Sequence, residues 1–180
     1  MLFTSAGPGE GKSTIAANYA LVSAVNDRRV LLVDADLRHP RIHEIFGIPR
    51  SPGLTEVVLS RLDLHALTQP IEGVPGLHVL TAGMPVPRAG DITGSKIVRE
   101  MLTQVGKEYD VVAIDAPPVL LAADAAHLAA DPAINVVFVV TKKQGTRRVT
   151  RAVAKLQLVG ANLLGFVVNR EGDLSEYGYG

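Results

Sequence analysis

Three short segments carry residue types suited to binding and transferring a phosphoryl group. The first is the glycine-rich segment AGPGEGKS, which starts at Ala6 and ends in Lys12 and Ser13. Its small residues let the backbone turn several N–H groups inward, and the helix that follows adds its positive dipole end. A lysine here reaches the outer phosphates of a nucleotide, and the serine hydroxyl ligates magnesium. The segment therefore predicts a phosphate loop.

The other two segments place acidic residues directly after apolar runs. Asp34 and Asp36 follow VLLV, and Asp115 follows VVAI. Phosphoryl transfer needs neutralised phosphate charge and an aligned nucleophile, with little covalent work by side chains. Asp115 fits a carboxylate that holds magnesium or its water shell. Asp34 and Asp36 lie two apart and point the same way in an extended segment, so they could bind magnesium, accept a proton from an incoming hydroxyl, or divide these tasks.

These segments define the expected site. Asp34 is the first choice for the proton acceptor and Asp36 the second, although either could instead cap the following turn. The expected ligands are a nucleotide and Mg²⁺. We expect catalytic roles for Lys12, Asp34, Asp36 and Asp115, and metal ligation by Ser13, Asp34 and Asp115. The expected nucleotide-binding residues of the loop are Gly7, Pro8, Gly9, Glu10, Gly11, Lys12, Ser13 and Thr14.

Alternating strands and helices must position these segments. Six apolar runs predict strands near 2–4, 30–33, 77–80, 111–114, 136–140 and 163–168. Most of these runs are continuous, which is typical of a parallel sheet covered on both faces. The sequence therefore predicts an α/β fold, a P-loop NTPase three-layer sandwich with a mainly parallel central sheet. Its ligand site is expected at the C-terminal ends of the strands, where all three segments lie.

Helices are expected on both faces of this sheet. After the phosphate loop, Ile15, Tyr19 and Val22 are spaced to share one apolar helix face. A short helix is expected at Leu54–Leu59. Arg147, Arg148 and Arg151 form a basic patch at the start of a later helix, and we interpret it as a solvated face, with an acidic partner or anionic lipid as the alternative.

Composition restricts the function classes. The 180 residues suffice for one compact domain. Lys+Arg and Asp+Glu both number 18, so no whole-chain basic field attracts nucleic acid, and no nucleic-acid partner is expected. The absence of cysteine excludes disulfides and thiolate chemistry. Because no apolar stretch is long enough to span a bilayer, any membrane connection is expected through a partner or through sequence outside this chain.

Three stretches resemble the bacterial tyrosine kinases of capsule and exopolysaccharide assembly, namely AGPGEGKSTIAAN, LLVDADLRHP and YDVVAIDAPPVL. The resemblance covers nearly the whole chain, and the DADLR pattern is its most discriminating part. It implies a phosphate-loop α/β domain that transfers a phosphoryl group from Mg-ATP to tyrosines of its own C-terminal tail and regulates polysaccharide synthesis and export. It also implies that Asn169 and Arg170 lie near the adenine.

The resemblance divides the chain after Arg170. Residues 1–170 would form the ATP-binding kinase domain, and residues 171–180 a flexible tail in which Tyr177 and Tyr179 are the phosphoacceptors. An ordinary frayed terminus is the alternative. From Arg170 to Tyr177 the tail reaches at most about 25 Å, which permits both self-modification and donation to a neighbouring copy.

Partners and location follow from the same resemblance. It implies a membrane polysaccharide co-polymerase as activator, so the chain is expected in the cytoplasm, at the inner face of the cell membrane through that partner. Family members usually build a ring with a helix of spaced arginines before the first strand. Only Met1–Ser5 precede the phosphate loop here, which suggests a truncated or minimal catalytic core. The ring is not expected, and a different homo-oligomer stays open.

Partition and division-site ATPases of the ParA and MinD type are the main alternative. They resemble this chain throughout the core but act as nucleotide-gated dimer switches. They usually carry a second lysine early in the phosphate loop, and Gly7 stands at that position here. This difference favours the kinase. A nucleotide-binding module without catalysis is a third hypothesis, and the intact Lys12, Ser13 and Asp115 argue against it.

Overall fold

A single seven-stranded sheet forms the centre of the fold in a computed structural model that describes residues 1–142 and 144–169. The strands are β1 (Leu2–Ser5), β2 (Val30–Asp34), β3 (Gln69–Pro70), β4 (Leu77–Leu80), β5 (Val111–Asp115), β6 (Asn135–Thr141) and β7 (Asn162–Asn169). Their order across the sheet is β3-β4-β2-β5-β1-β6-β7, and all pairs are parallel except β3 with β4. The six predicted strands are confirmed, and the two-residue β3 was missed.

Helices cover both faces of the sheet. They are α1 (Lys12–Val25), α2 (Ile42–Phe46), α3 (Leu54–Leu59), α4 (Leu64–Leu67), α5 (Ala89–Thr93), α6 (Lys96–Glu108), α7 (Asp124–Ala129) and α8 (Thr146–Leu158). Alternate residues of β2 enter two separate cores, with Leu31 and Val33 on one face and Val30 and Leu32 on the other. The predicted three-layer α/β sandwich is therefore confirmed. Within the described residues, no helix is long and apolar enough to cross a membrane.

Small side chains form the sheet-facing surface of α1. The helix buries Ala16, Ala17 and Ala20 against the sheet, whereas Val22 is 63% exposed. The expected face of Ile15, Tyr19 and Val22 was therefore wrong at Val22. Alanine has only a methyl side chain, so the helix approaches the strands closely and brings the phosphate loop down onto the ends of β1 and β5.

Glu56 fastens the segment before α3 to the loop after β4. Its carboxylate accepts hydrogen bonds from Ser51 Oγ at 2.7 Å, from the Gly53 N–H at 2.8 Å and from the Met84 N–H at 3.0 Å. Burial by itself raises the pKa of Glu56, but these hydrogen bonds outweigh it and lower the pKa below its ordinary value. Helix α3 has the bounds that the sequence predicted.

We expect Glu56→Ala to lower the free energy of unfolding by about 2 kcal/mol, because three donors lose a charged acceptor. The lowered pKa means that the carboxylate stabilises the fold above its unfolded pKa of 4.5, and this contribution disappears as the pH falls through the lower folded value. Urea unfolding from pH 3 to pH 7 measures the difference. Glu100→Ala on exposed α6 is the control, and equal losses for both variants would contradict the assignment.

Candidate active site

The phosphate loop connects β1 to α1 and depends on glycine at two positions. Gly9 and Gly11 have φ angles of 73° and 86°, a backbone region that other residues rarely adopt. A side chain at Gly11 would also collide with the Asn169 amide. Because Gly11 caps α1 without a side chain, the first-turn N–H groups are left for a bound anion.

The outer wall of the loop is fixed by contacts from distant parts of the chain. The Glu10 carboxylate accepts hydrogen bonds from the Ala6 N–H at 3.1 Å and from Gln144 Nε2 at 2.6 Å. Asn169, at the end of β7, donates its side-chain N–H to the Glu10 carbonyl at 3.0 Å. Asn169 thus lies directly on the loop. Nothing in the sequence indicated that Gln144 would brace Glu10.

The Lys12 ammonium contacts three of the predicted site residues, Ser13, Asp36 and Asp115. Its Nζ lies 2.7 Å from Asp36 Oδ2 and 3.5 Å from Asp115 Oδ1, and it donates a hydrogen bond to Ser13 Oγ at 3.2 Å. Burial alone lowers the pKa of Lys12, but the charges of Asp115 and Asp36 outweigh it and raise the pKa above its ordinary value. The lysine is therefore held in its charged form, folded back onto the acidic residues.

Asp34 and Asp36 both order the turn after β2. Asp34 accepts hydrogen bonds from the Asp36 N–H at 3.3 Å and from the Ile42 N–H at 3.1 Å, one on each carboxylate oxygen. Asp36 uses one oxygen to accept the His39 N–H at 3.1 Å and keeps the other on Lys12. The turn-capping role is thus present in both residues. It engages both oxygens of Asp34 and one oxygen of Asp36.

Asp115 is a buried carboxylate whose nearest cation, Lys12 Nζ, is 3.5 Å from Oδ1. It is register partner to Asp34 at the ends of β5 and β2, its side chain is fully buried, and neither oxygen has a hydrogen-bond partner among the described residues. Burial, opposed by the charge of Lys12, raises its pKa to about 6. Burial and the neighbouring Asp115 also raise the pKa of Asp34 well above its ordinary value.

This donor set fits magnesium that is bound together with a nucleotide. Mg²⁺ is usually held by one or two carboxylates, with water and phosphate oxygens completing its shell. Asp115 offers two buried oxygens without donors, and the Ser13 hydroxyl is near the same Lys12 ammonium. Across residues 1–142 and 144–169, no group of three or more acidic, histidine or cysteine side chains could hold a metal by itself. Water and phosphate oxygens would therefore complete such a site.

A cavity of about 410 Å³ opens above these residues. The phosphate loop forms one wall, from Pro8 and Gly9 through Thr14. The opposite wall contains Asp36, His39, Arg41, Ile45 and Leu121. Of the two acidic residues that follow β2, Asp36 lines the cavity and Asp34 does not.

Gly7 stands at the position where switch ATPases usually carry a second lysine, and a side chain from α8 occupies the space beside it. The guanidinium group of Arg148 packs against Gly7, in the space where a side chain at that position would begin. A lysine at Gly7 would have to displace this guanidinium. Three further predicted residues, Arg170, Tyr177 and Tyr179, lie outside the described part of the chain.

Comparisons with known proteins agree with this geometry. The ParA family model, described as NUBPL iron-transfer P-loop NTPase, matches residues 1–176. The tyrosine-protein kinase YwqD of Bacillus subtilis (strain 168) is 36% identical over 181 residues, which cover 99% of this chain and 76% of YwqD. The chain spans only 23% of the tyrosine-protein kinase Etk of Escherichia coli (strain K12), at 28% identity.

Solved structures give the same assignment. The chimerical protein CapA2B2 superposes with a TM-score of 0.89 at 34% identity, covering 96% of this chain and 76% of that one. The kinase domain of Escherichia coli ETK has a TM-score of 0.86 at 28% identity, covering 99% and 71%. The cell-division ATPase MinD of Pyrococcus furiosus, with a TM-score of 0.77 over 95% and 71% of the two chains, shares the fold at 22% identity. The chain therefore belongs to the ParA-type P-loop NTPases and, among these, to the bacterial tyrosine kinases.

Proposed function

We propose that this chain is an ATP-dependent protein-tyrosine kinase that phosphorylates Tyr177 and Tyr179 of its own tail. We propose further that this activity regulates capsular or exopolysaccharide synthesis and export. The observation that carries the proposal is the buried contact of Lys12 with Asp36 and Asp115 at the base of a phosphate loop. The 36% identity with a tyrosine-protein kinase over 99% of the chain supports it.

Nucleotide binding would separate the ion pair between Lys12 and Asp36. The loop N–H groups and the Lys12 ammonium would hold the phosphates, while Ser13 and Asp115 would hold the metal. Asp34, whose two oxygens already accept backbone N–H groups, would contact the water shell of the metal through its remaining lone pairs. Magnesium bound there neutralises charge on the phosphate oxygens. When the lysine turns to the phosphates, one oxygen of Asp36 is released. ATP binding would thus free the carboxylate that faces the cavity.

A free tyrosine hydroxyl has a pKa of about 10 and needs a proton acceptor at neutral pH. The sequence favours Asp34 for this role, but in the structure both of its oxygens accept backbone N–H groups. The geometry favours Asp36, which lines the cavity and has one oxygen on Lys12. The phenolic oxygen would bond to the γ-phosphorus, the bond to the β–γ bridging oxygen would break, ADP would leave, and Asp36 would take the proton.

Replacing both tail tyrosines tests the acceptor assignment. We expect Tyr177→Phe with Tyr179→Phe to eliminate the phosphotyrosine signal after incubation with Mg-ATP, because phenylalanine lacks the hydroxyl nucleophile. An antiphosphotyrosine blot, supported by peptide mass spectrometry, measures it. Tyr19→Phe is the control, since that ring packs on Phe3 in the core. If the phosphotyrosine signal persists in the double variant, other tyrosines are the acceptors and the assignment of Tyr177 and Tyr179 is wrong.

The dimer-switch ATPase is the second candidate, supported by the shared fold of MinD and by the ParA family match. Gly7 stands where a switch ATPase usually carries its second lysine, and this favours the kinase. The chain has no cysteine, so the thiolate ligands of an iron–sulfur cargo are missing. A switch would release free phosphate and dimerise with ATP without labelling the protein.

We also propose that the chain acts in the cytoplasm, at the inner face of the membrane, through a membrane polysaccharide co-polymerase. The support for this partner is that the chain belongs to the bacterial tyrosine kinases. The cytoplasmic segment of such a co-polymerase should increase tail phosphorylation when it is added to the chain. Unchanged phosphorylation and no co-elution with that segment would contradict the proposed partner.

A further inference from the structure

An arginine patch on α8 lies beside the phosphate loop. It consists of Arg147, Arg148 and Arg151, which together with Leu120 line an open cavity of about 620 Å³. Arg148 also lines a second cavity, of about 380 Å³, whose other wall includes Glu10 of the loop. The patch is therefore continuous with the outer edge of the nucleotide site.

The three residues of the arginine patch are exposed, although the Arg148 guanidinium also contacts Gly7, and none of them has a carboxylate partner in residues 1–142 and 144–169. Arg38, by comparison, has its Nε 3.1 Å from Asp124 Oδ2. Three cations around one recess attract an anionic group, and guanidinium binds carboxylates well because it offers paired N–H donors.

The chain itself contains an anionic segment of matching charge. Residues 171–176, EGDLSE, carry three acidic residues and no basic one, and Tyr177 follows directly. The last described residue before them, Asn169, is hydrogen-bonded to the Glu10 carbonyl. Arg148 lines a cavity with that same Glu10. Asn169, two positions before the segment, therefore lies on the loop that the arginine patch adjoins. An extended chain covers about 3.5 Å per residue, so a short length of chain after Asn169 would suffice to reach the patch.

We propose that the arginine patch is a docking site for the acidic segment 171–176. The three carboxylates pair with Arg147, Arg148 and Arg151, and this contact keeps Tyr177 close to the phosphate loop. The role in presenting tyrosine rests on the proposed kinase function, whereas the docking contact itself requires no catalysis. The recess beside Leu120 and the equal number of opposite charges favour a peptide over a flat anionic membrane surface.

A binding experiment tests the docking contact without any catalysis. The protein is the full chain with Lys12→Met, and with Glu171→Gln, Asp173→Asn and Glu176→Gln so that its own tail does not compete. The probe is a fluorescein-labelled peptide of sequence EGDLSEYGYG, followed by anisotropy at low salt. We expect the further change Arg147→Ala with Arg151→Ala to weaken binding about tenfold, because two exposed charge pairs are lost.

Two controls make the result specific. Lys96→Ala with Arg99→Ala removes two exposed cations from α6 and should leave peptide affinity unchanged. The neutral peptide QGNLSQYGYG should bind the unmodified patch about tenfold more weakly than the acidic peptide, and added salt should remove most of the difference between them. Equal binding of the two peptides, or equal losses for the α6 and α8 variants, would overturn the proposal.

Two further outcomes separate this inference from the kinase function. With Lys12 intact, Arg147→Ala with Arg151→Ala should raise the KM for the peptide about tenfold and leave kcat unchanged. If the peptide binds at the patch but is never phosphorylated, docking stands and the kinase function fails. If the chain binds phosphatidylglycerol vesicles through these arginines and ignores the peptide, the patch is a membrane contact and the docking proposal fails.

Discussion

Replacing Lys12 with methionine is expected to abolish ATP-dependent labelling of the chain. Methionine keeps much of the length of the side chain but removes the cation that contacts Asp36 and Asp115 and that would hold the phosphates. Loss of one preorganised electrostatic group in such a site lowers the rate by about a thousandfold. Incorporation of label from γ-labelled ATP, followed over time, measures the effect.

The Lys12 experiment needs a control for folding, because removing one partner of a buried ion pair also destabilises a protein. Lys12→Arg keeps the charge near Asp36 but changes its shape, so it should fold better than Lys12→Met and still lose most of its activity. Lys96→Met on exposed α6 should label like the wild type. A folded Lys12→Met protein that still phosphorylates its tail would remove the proposed role of the phosphate loop.

Replacing Asp115 with asparagine is expected to stabilise the nucleotide-free fold and to abolish activity. The Asp115 carboxylate is fully buried, and Lys12 Nζ at 3.5 Å only partly offsets the cost of burying its charge, since burial outweighs the charge of Lys12 and raises the pKa. Its pKa rises from 3.8 to about 6 on folding. Since each unit corresponds to about 1.4 kcal/mol, the neutral variant should gain about 1–3 kcal/mol at pH 7. Activity should fall about a thousandfold, because the metal loses a charged ligand.

The pH dependence has a defined sign. Between pH 3.8 and about 6 the folded wild type binds more protons at Asp115 than the unfolded chain does. The free energy of unfolding of the wild type therefore falls relative to that of Asp115→Asn as the pH rises through this window, and the difference is constant above it. Urea unfolding at several pH values measures this, with the exposed Asp91→Asn as control. An Asp115→Asn variant less stable than the wild type at pH 7 would contradict the account.

The fold and the place of the site could be predicted because they depend on local pattern and parallel pairing. The continuous apolar runs of β2 and β5 end in Asp34 and Asp115, and parallel register brings these two residues side by side. The phosphate loop follows β1 at the same sheet edge. Once a parallel sheet is predicted, the three segments are therefore expected at the same edge of that sheet, and this suffices to predict a single site.

The contacts inside the site could not be predicted, because they arise from residues far apart in the chain. Gln144 braces Glu10 across 134 positions, and Arg148 fills the space beside Gly7. Hydrophobic periodicity also predicted that Val22 faces the sheet, which is wrong. The residues of α1 that contact the sheet are alanines, which are only weakly hydrophobic and contribute little to such a pattern. The ion pair between Lys12 and Asp36 depends on the three-dimensional course of the phosphate loop, which the spacing of residues in the sequence does not reveal.

The fate of the γ-phosphoryl group tests the central claim most directly. The chain is incubated with γ-labelled ATP and magnesium, and the label is divided into free phosphate and phosphate on the peptide that contains residues 171–180. The kinase account predicts that label accumulates on Tyr177 and Tyr179 and that the Lys12→Met chain remains unlabelled. Label that appears only as free phosphate, with none on the protein, would contradict it and identify a switch ATPase.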